Sequence, residues 1–242
     1  MSKEQYDKIA DEYSRMRNST KEYVLIPTFK KIIGKVQNKS VLDLACGEGF
    51  FTRILAEMNP SELIGLDFSK ELIKKAKDHN SNITYLVEDV LTLNLNKQFD
   101  LITAVYLLNY AKTKDELAIM CQNIYTHLNE TGNFSTITTS PSLKPMKDFE
   151  YERKFSSVAG KKLFEDGDEV RMEIMQDGEK LLEVINYYWT KETYEDCLKK
   201  AGFKKIQWVK AIISEEGTNL YGTEFWDKFQ KNHSTIGIVC EK

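Results

Sequence analysis

The stretch VLDLACGEGFFTRIL, Val41 to Leu55, passes from an apolar run into a glycine turn and then into a helical pattern. SVLDLA (40–45) has the length and apolar content of a buried strand, and FFTRILAEM (50–58) sets Phe51, Ile54, Leu55 and Met58 along one helix face. A strand, a glycine turn and a helix in that order bring a ligand against bare backbone at a helix N-terminus.

Working outward, the same alternation repeats. ELIGLD (62–67) reads as a strand and SKELIKKAKDH (69–79) as a helix with Ser69 as N-cap. ITYLVED (83–89) and FDLITAVYL (99–107) are further strands. TKDELAIMCQNIYTHL (113–128) is a long helix closed by the turn Asn-Glu-Thr-Gly, and GNFSTITT (132–139) is a fifth strand. After a break, TKETYEDCLKKAGF (190–203) is a helix capped by Thr190 and closed by Gly202. KKIQWVKAII (204–213), GTEFWDKFQKN and STIGIVCE (234–241) follow as strand, helix and strand. Crossovers of this kind build a mainly parallel sheet covered on both faces, a doubly wound, Rossmann-like α/β fold. Its ligand lies beyond the carboxyl ends of the strands, where the strand order reverses. Ahead of the first strand, YDKIADEY sets Tyr6, Ile9, Ala10 and Tyr13 on one helix face.

The break covers residues 140–189, with two of the four prolines, no clean period up to 165, and a hairpin signal at Asp177-Gly178. This segment is expected to be an inserted antiparallel β element that covers the ligand cleft; an edge extension of the main sheet is the alternative. The domain division is then 1–139 with 190–242 as the ligand-binding body, and 140–189 as the cap.

Composition narrows the function classes. The chain has 242 residues, 41% hydrophobic and 29% charged, with a net charge of −3 and dispersed basic residues. Clustered phosphate-neutralising cations are lacking, so no nucleic-acid partner is expected. No apolar run approaches the ~18 residues of a membrane helix, and MSKEQYDKIADEY has no secretory core, so a cytoplasmic protein without a membrane partner is expected. Cys46, Cys121, Cys197 and Cys240 read as reduced, buried thiols. His79, His127 and His233 show no ligand spacing, and no metal is expected.

Three nucleotide classes can use the opening junction. A triphosphate loop needs a Gly-Lys-Ser/Thr that is missing here. A dinucleotide turn needs a third glycine, where this chain has Thr52, and Glu48 would repel a pyrophosphate unless it turned away. Asp43 interrupts the first strand four residues before Gly47. It either faces a cationic ligand such as S-adenosylmethionine or braces the turn through hydrogen bonds. Asp67, 18 residues past Gly49, suits a ribose pair, and Asp89 suits an adenine amino group or a local cap.

The ordered series VLDLACGEGFFTRILA, LIGLDFS, YLVEDVLTL and FDLITAVYLL resembles the class I S-adenosylmethionine-dependent methyltransferases over about residues 36–140. The resemblance implies a seven-stranded sheet whose last strand is antiparallel. It implies S-adenosylmethionine on Asp43, Ala45, Cys46, Gly47, Gly49, Asp67, Phe68, Glu88, Asp89, Val90, Val105 and Tyr106. Tyr106 to Asn109 would underlie the methionine moiety and face the acceptor. YDKIADEY and DGEKLLEVINYYWTKETYEDCLKKAGF resemble the toxoflavin-synthase-like small-molecule group. That similarity implies Tyr13 and Tyr6 closing over the donor, with Arg17 or Arg53 near its carboxylate; helix packing and a solvated face are the plainer readings.

Methyl transfer from a sulfonium needs alignment and water exclusion more than a strong base. Candidate catalytic residues are Tyr106, Tyr13, Tyr187 and His233, the last more readily a structural histidine. Aromatic residues of the insertion, with Tyr187 and Trp189 foremost, could wall a site for a planar acceptor. The expected function is methyl transfer to a nitrogen of a small metabolite by a monomer or homodimer. The alternatives are a small-molecule O-methyltransferase and a donor-binding sensor or assembly partner without turnover.

Overall fold

The computed structural model describes residues 19–80, 82–176 and 178–242. In chain order the strands are β1 (Ser40–Leu44), β2 (Glu62–Asp67), β3 (Thr84–Val87), β4 (Phe99–Val105) and β5 (Leu128–Thr139). They continue with β6 (Arg153–Ser157), β7 (Glu169–Gln176), β8 (Glu179–Tyr187), β9 (Lys205–Lys210) and β10 (Thr235–Glu241). The helices are α1 (Ile26–Ile33), α2 (Phe50–Ala56), α3 (Lys70–His79), α4 (Lys114–Thr126), α5 (Lys191–Ala201) and α6 (Glu215–Lys231). A π-helical turn, Lys21–Leu25, runs into α1.

Seven strands form one sheet in the order β3-β2-β1-β4-β5-β10-β9. The first five are parallel, and β10 is antiparallel to both β5 and β9. Central β1 explains the layering, because alternate residues of a strand face opposite sides. Val41 packs with Phe29, Ile32 and Ile33 of α1 and Leu55 of α2. Leu42 and Leu44 pack on the other side with Leu117 and Cys121 of α4 and Tyr194 and Leu198 of α5. The chain leaves β1 toward β2 and β3, then returns to place β4 on the opposite flank. The order therefore reverses between β1 and β4, and their carboxyl ends open the crevice expected of such sheets.

Local signals hold at the helix ends. The Ser69 side chain accepts from the Leu72 N–H at 3.2 Å, and Thr190 accepts from Thr193 N–H at 3.3 Å. Gly202 closes α5 with φ 118°. The expected turn at Asn129–Gly132 is a correction: β5 begins at Leu128, directly after α4. Pairing with β4 absorbs the turn-forming residues through a register shift between Phe99 and Leu101. Gly132 is needed there for close approach, since a Cβ would lie 2.9 Å from the Phe99 carbonyl oxygen.

The insertion forms its own antiparallel sheet, β6-β7-β8, rather than extending an edge of the main one. Strand β6 lies where the sequence shows no period. The β7–β8 hairpin is as expected, with Gly178 at φ 82°; Asp177 lies outside the described residues. Tyr151, Phe155, Phe164, Met172 and Tyr188 bury together with Trp226 and Phe229 of α6. The helix expected over YDKIADEY, with Tyr6, Tyr13 and Arg17, lies outside the described residues. Among the described residues no helix is long and apolar enough to cross a membrane.

Candidate active site

The backbone at the end of β1 is bent tightly. Ala45 has φ 52°, Gly47 φ 56° and Gly49 φ 78°. The Gly49 N–H donates to the Cys46 carbonyl at 2.9 Å, which closes the turn and starts α2. At the end of β4, Tyr106 also has a positive φ of 58°. Left-handed backbone in a non-glycine residue costs roughly 1–2 kcal/mol, and such positions gather at functional sites. Ala45 and Tyr106 sit on the two strands that flank the order reversal.

Asp43 lies beneath the turn. One carboxylate oxygen accepts from the Thr52 hydroxyl at 2.6 Å and the other from Thr103 at 2.8 Å. Burial pushes its pKa up to about 6, with the two hydroxyls opposing and Asp67 adding to the rise. Of the two readings of this residue, the geometry favours the brace. Thr52, which stands in place of a third glycine, is half of that brace.

Asp67 holds the turn from the next strand. Its carboxylate accepts from the backbone N–H groups of Gly47 and Ser69, both at 2.9 Å. Glu48 turns away toward His79, at 3.3 Å, while its carbonyl accepts from Arg53 at 2.7 Å. Asp89 caps the turn after β3 by accepting from Leu91 N–H at 2.9 Å, and its residue is exposed to the cleft.

These residues border a cleft of about 500 Å³. Ala45, Gly47, Asp67, Phe68, Glu88, Asp89, Val90, Val105 and Tyr106 all line it. A smaller cleft of about 60 Å³ continues past the turn and takes in Lys21, Asp43, Cys46 and Phe50. Ala45, Gly47, Val105 and Tyr106 line both. Among the described residues a Cβ added at Gly47 would meet nothing within 4 Å, whereas one at Gly49 would come within 2.9 Å of Tyr85 Cζ. Gly47 thus bares backbone to the cleft, and Gly49 is fixed by packing against β3.

Several cleft residues escape a sequence reading. Lys112, Glu116 and Met120 form a wall contributed by α4 and the loop before it. Met120 and its neighbours carry only a core-like helical signal, and nothing marks Lys112. Among the described residues, the cleft carries the carboxylates of Asp67, Glu88, Asp89 and Glu116 against the ammonium of Lys112. That balance opposes a pyrophosphate and favours a ligand with positive charge. Room for a nucleoside, bare backbone at Gly47, apolar contacts from Leu72, Val90 and Met120, and an acidic lining together fit S-adenosylmethionine.

Two expected catalytic residues sit elsewhere. His233 packs edge-on against Phe229 at 6.2 Å, and burial, then Lys210, lowers its pKa; it lines neither cleft. The buried α6 core holds it away from the β4 end. Tyr187 packs against the main core, and Trp189 donates its indole N–H to the Ala111 carbonyl at 3.1 Å. Neither lines a cleft, because β8 runs out against the loop after β4. Tyr106 does face both clefts, and its hydroxyl pairs with that of Thr235 at 2.8 Å.

Residues 41–132 match the family model described as a methyltransferase domain. The chain is 29% identical to the demethylmenaquinone methyltransferase of Lactococcus lactis, over 96% of this chain and 92% of the relative. It is 23% identical to the N-demethylindolmycin N-methyltransferase of Streptomyces griseus, over 69% and 70% of the two chains. An S-adenosylmethionine-dependent methyltransferase from Mesorhizobium loti shares the fold, with a TM-score of 0.65 at 18% identity over 89% of this chain and 96% of that one. The tight turn after β1, the strand order and the matching domain over residues 41–132 agree with a class I S-adenosylmethionine-dependent methyltransferase fold.

Proposed function

We propose that the protein transfers the methyl group of S-adenosylmethionine to a nitrogen of a small, planar or partly apolar metabolite, held between the donor cleft and the inserted sheet. The observation that carries this reading is the wall common to both clefts: Ala45, Gly47, Val105 and Tyr106 meet where β1 and β4 end. The bound donor supplies an electrophilic methyl on a sulfonium. Asp67 and Asp89 are assigned to its ribose and adenine, and Phe68 and Val90 to the ring faces. Ala45 and Gly47 are assigned to its methionine end, with buried Lys21 near the carboxylate.

The chain's own contribution is alignment. Tyr106, held by Thr235 and by its bent backbone, fixes the surface over which the acceptor lies. The apolar interior of the cap keeps water from the reacting pair, which strengthens the pull of the acidic lining on the cation. An acceptor nitrogen attacks with its lone pair and sheds its proton afterwards, so the site needs no strongly basic side chain. In this reading residues 1–139 and 190–242 bind the donor, and 140–189 cover the acceptor. A nitrogen acceptor is supported by the N-methyltransferase among the relatives and by the resemblance to the toxoflavin-synthase-like group.

Calorimetry with S-adenosylhomocysteine tests the donor half. Charge-assisted hydrogen bonds are worth about 1.5–3 kcal/mol, so Asp67→Ala is expected to weaken binding tenfold or more. Wild-type affinity in that variant overturns the assignment. Transfer of labelled methyl to oxygen instead, or donor binding without turnover across an amine and hydroxyl acceptor panel, would replace the nitrogen reading.

A further inference from the structure

The inserted sheet turns one face inward, and its pairing fixes which residues share that face. Arg153, Phe155 and Ser157 alternate on β6. The register sets Ser157 level with Val170 and Asn186, and Phe155 level with Met172 and Val184. The middle row is apolar and buried. Three residues of the face are polar: Arg153, Ser157 and Asn186. Among the described residues each has a buried polar atom with no hydrogen-bond partner, namely Arg153 Nε, Ser157 Oγ and Asn186 Oδ1.

Arg153 is the most costly of the three. It is 1% exposed. Its Nη1 donates to the Tyr106 hydroxyl at 3.4 Å and approaches the Met172 sulfur at 4.0 Å. Among the described residues no carboxylate pairs with it. Glu152, its neighbour in sequence, accepts instead from the Ser19 backbone and hydroxyl, both at 2.9 Å. A buried guanidinium without a counter-charge carries a desolvation cost of several kcal/mol, and such a group needs an anion to offset it. An arginine retained only to pack would find a carboxylate or leave its head in water. This one does neither among the described residues, where its side chain's oxygen contact is the tyrosine that lines both clefts.

We propose that Arg153 binds an anionic group of the methyl acceptor, a carboxylate or a phosphate, and so selects acidic small molecules. This rests on the donor assignment above. An oxyanion on the Arg153 fork would stand beside the Tyr106 hydroxyl, so the nucleophile sits a short span away at the methionine end of the cleft. Ser157 and Asn186 offer neutral hydrogen bonds to the rest of the molecule. The planar fork suits either oxyanion in a two-pronged grip, which lysine cannot copy.

The test uses the full chain saturated with S-adenosylhomocysteine. Benzoate, phenyl phosphate and uncharged benzamide are titrated at constant ionic strength and followed by calorimetry. At least one anion is expected to bind saturably and benzamide not to; whichever anion binds names the oxyanion class. Arg153→Gln is expected to lose about tenfold or more of that affinity, with the affinity for S-adenosylhomocysteine within about twofold of wild type. That split separates an anion-binding arginine from one that merely props Tyr106, whose loss would lower both affinities together. Failure of both anions to bind, or equal anion affinity in Arg153→Gln, overturns the proposal. Failure of S-adenosylhomocysteine to bind wild type overturns the donor reading instead. Should Arg153→Gln not fold, the arginine Nε–H resonance of wild type, assigned with Arg153→Lys, decides. A saturating shift on adding either anion supports the proposal, and an unmoved signal overturns it.

Discussion

Asp43 accepts two threonine hydroxyls beneath the glycine turn, and burial lifts its pKa from 3.8 to about 6. The folded chain therefore holds that proton more tightly than the unfolded chain. The stability it contributes is complete below about pH 4 and is lost as pH rises through about 6. A shift of that size corresponds to an effect on the order of 3 kcal/mol. Asp43→Asn removes the titration while keeping a polar group between Thr52 and Thr103. Urea unfolding at pH 4 and pH 7 should show wild type losing stability relative to the variant over that interval; parallel pH profiles would clear Asp43 of the effect. The two turn glycines predict a contrast of another kind. Gly47→Ala adds a methyl into open cleft at φ 56°, so it should lower stability by only ~1–2 kcal/mol while sharply reducing affinity for S-adenosylhomocysteine. Gly49→Ala drives the methyl into Tyr85 at φ 78°, and its thermal midpoint should fall well below that of Gly47→Ala. Equal midpoints in the two variants would contradict the division between a ligand-facing and a packing glycine.

Among the elements, the join between the insertion and α5 rests on one carboxylate. Asp166 accepts from the Thr190 N–H and from the hydroxyls of Thr190 and Thr193, so it ties the loop between β6 and β7 to the first turn of the helix. An acid there also complements the helix dipole. Asp166→Ala is expected to cost about 1–3 kcal/mol, read as a lower urea midpoint with an unchanged slope; a wild-type midpoint would make those bonds dispensable. The same region shows what the sequence reveals. Parallel β1 and β4 are buried on both faces, so continuous apolar runs announce them, while the caps at Ser69 and Thr190 announce α3 and α5. Strand β6 has no such mark, because its inward face mixes Arg153, Phe155 and Ser157 with polar residues outside. The Asn129–Gly132 stretch has turn chemistry but is drawn into β5 by pairing with β4, a non-local effect that composition does not carry. At the site, Asp67, Phe68 and Asp89 end strands and are legible from strand spacing. Lys112 and Met120 reach it from a distant segment, Arg153 touches its lining at the Tyr106 hydroxyl, and Tyr187 and His233 miss it because tertiary packing turns them elsewhere.

At the scale of the molecule, the inserted sheet shares its core with the body. Trp226 and Phe229 of α6 pack among Tyr151, Phe155 and Val184, with Val24 from the segment before α1 joining them. Trp226 is 2% exposed, and its indole N–H donates to the Gly217 carbonyl at 2.8 Å within the same helix. Trp189, by contrast, sits in the main core at the point where the insertion returns. The two tryptophans therefore report on opposite sides of the join between cap and body. Because α6 belongs to the cap's core and also precedes β10 of the main sheet, neither part can lose its packing while the other keeps it. Unfolding should be one cooperative transition, with tryptophan fluorescence and far-UV circular dichroism coincident in urea. Trp226→Ala opens a cavity in the shared core and should cost about 3–5 kcal/mol, moving both probes together. If that substitution instead shifted the fluorescence of Trp189 and Trp208 and the circular dichroism at separate urea concentrations, the inserted sheet would be an independent unit. The proposed acceptor surface would then belong to a part that folds on its own rather than to the body proposed to bind the donor.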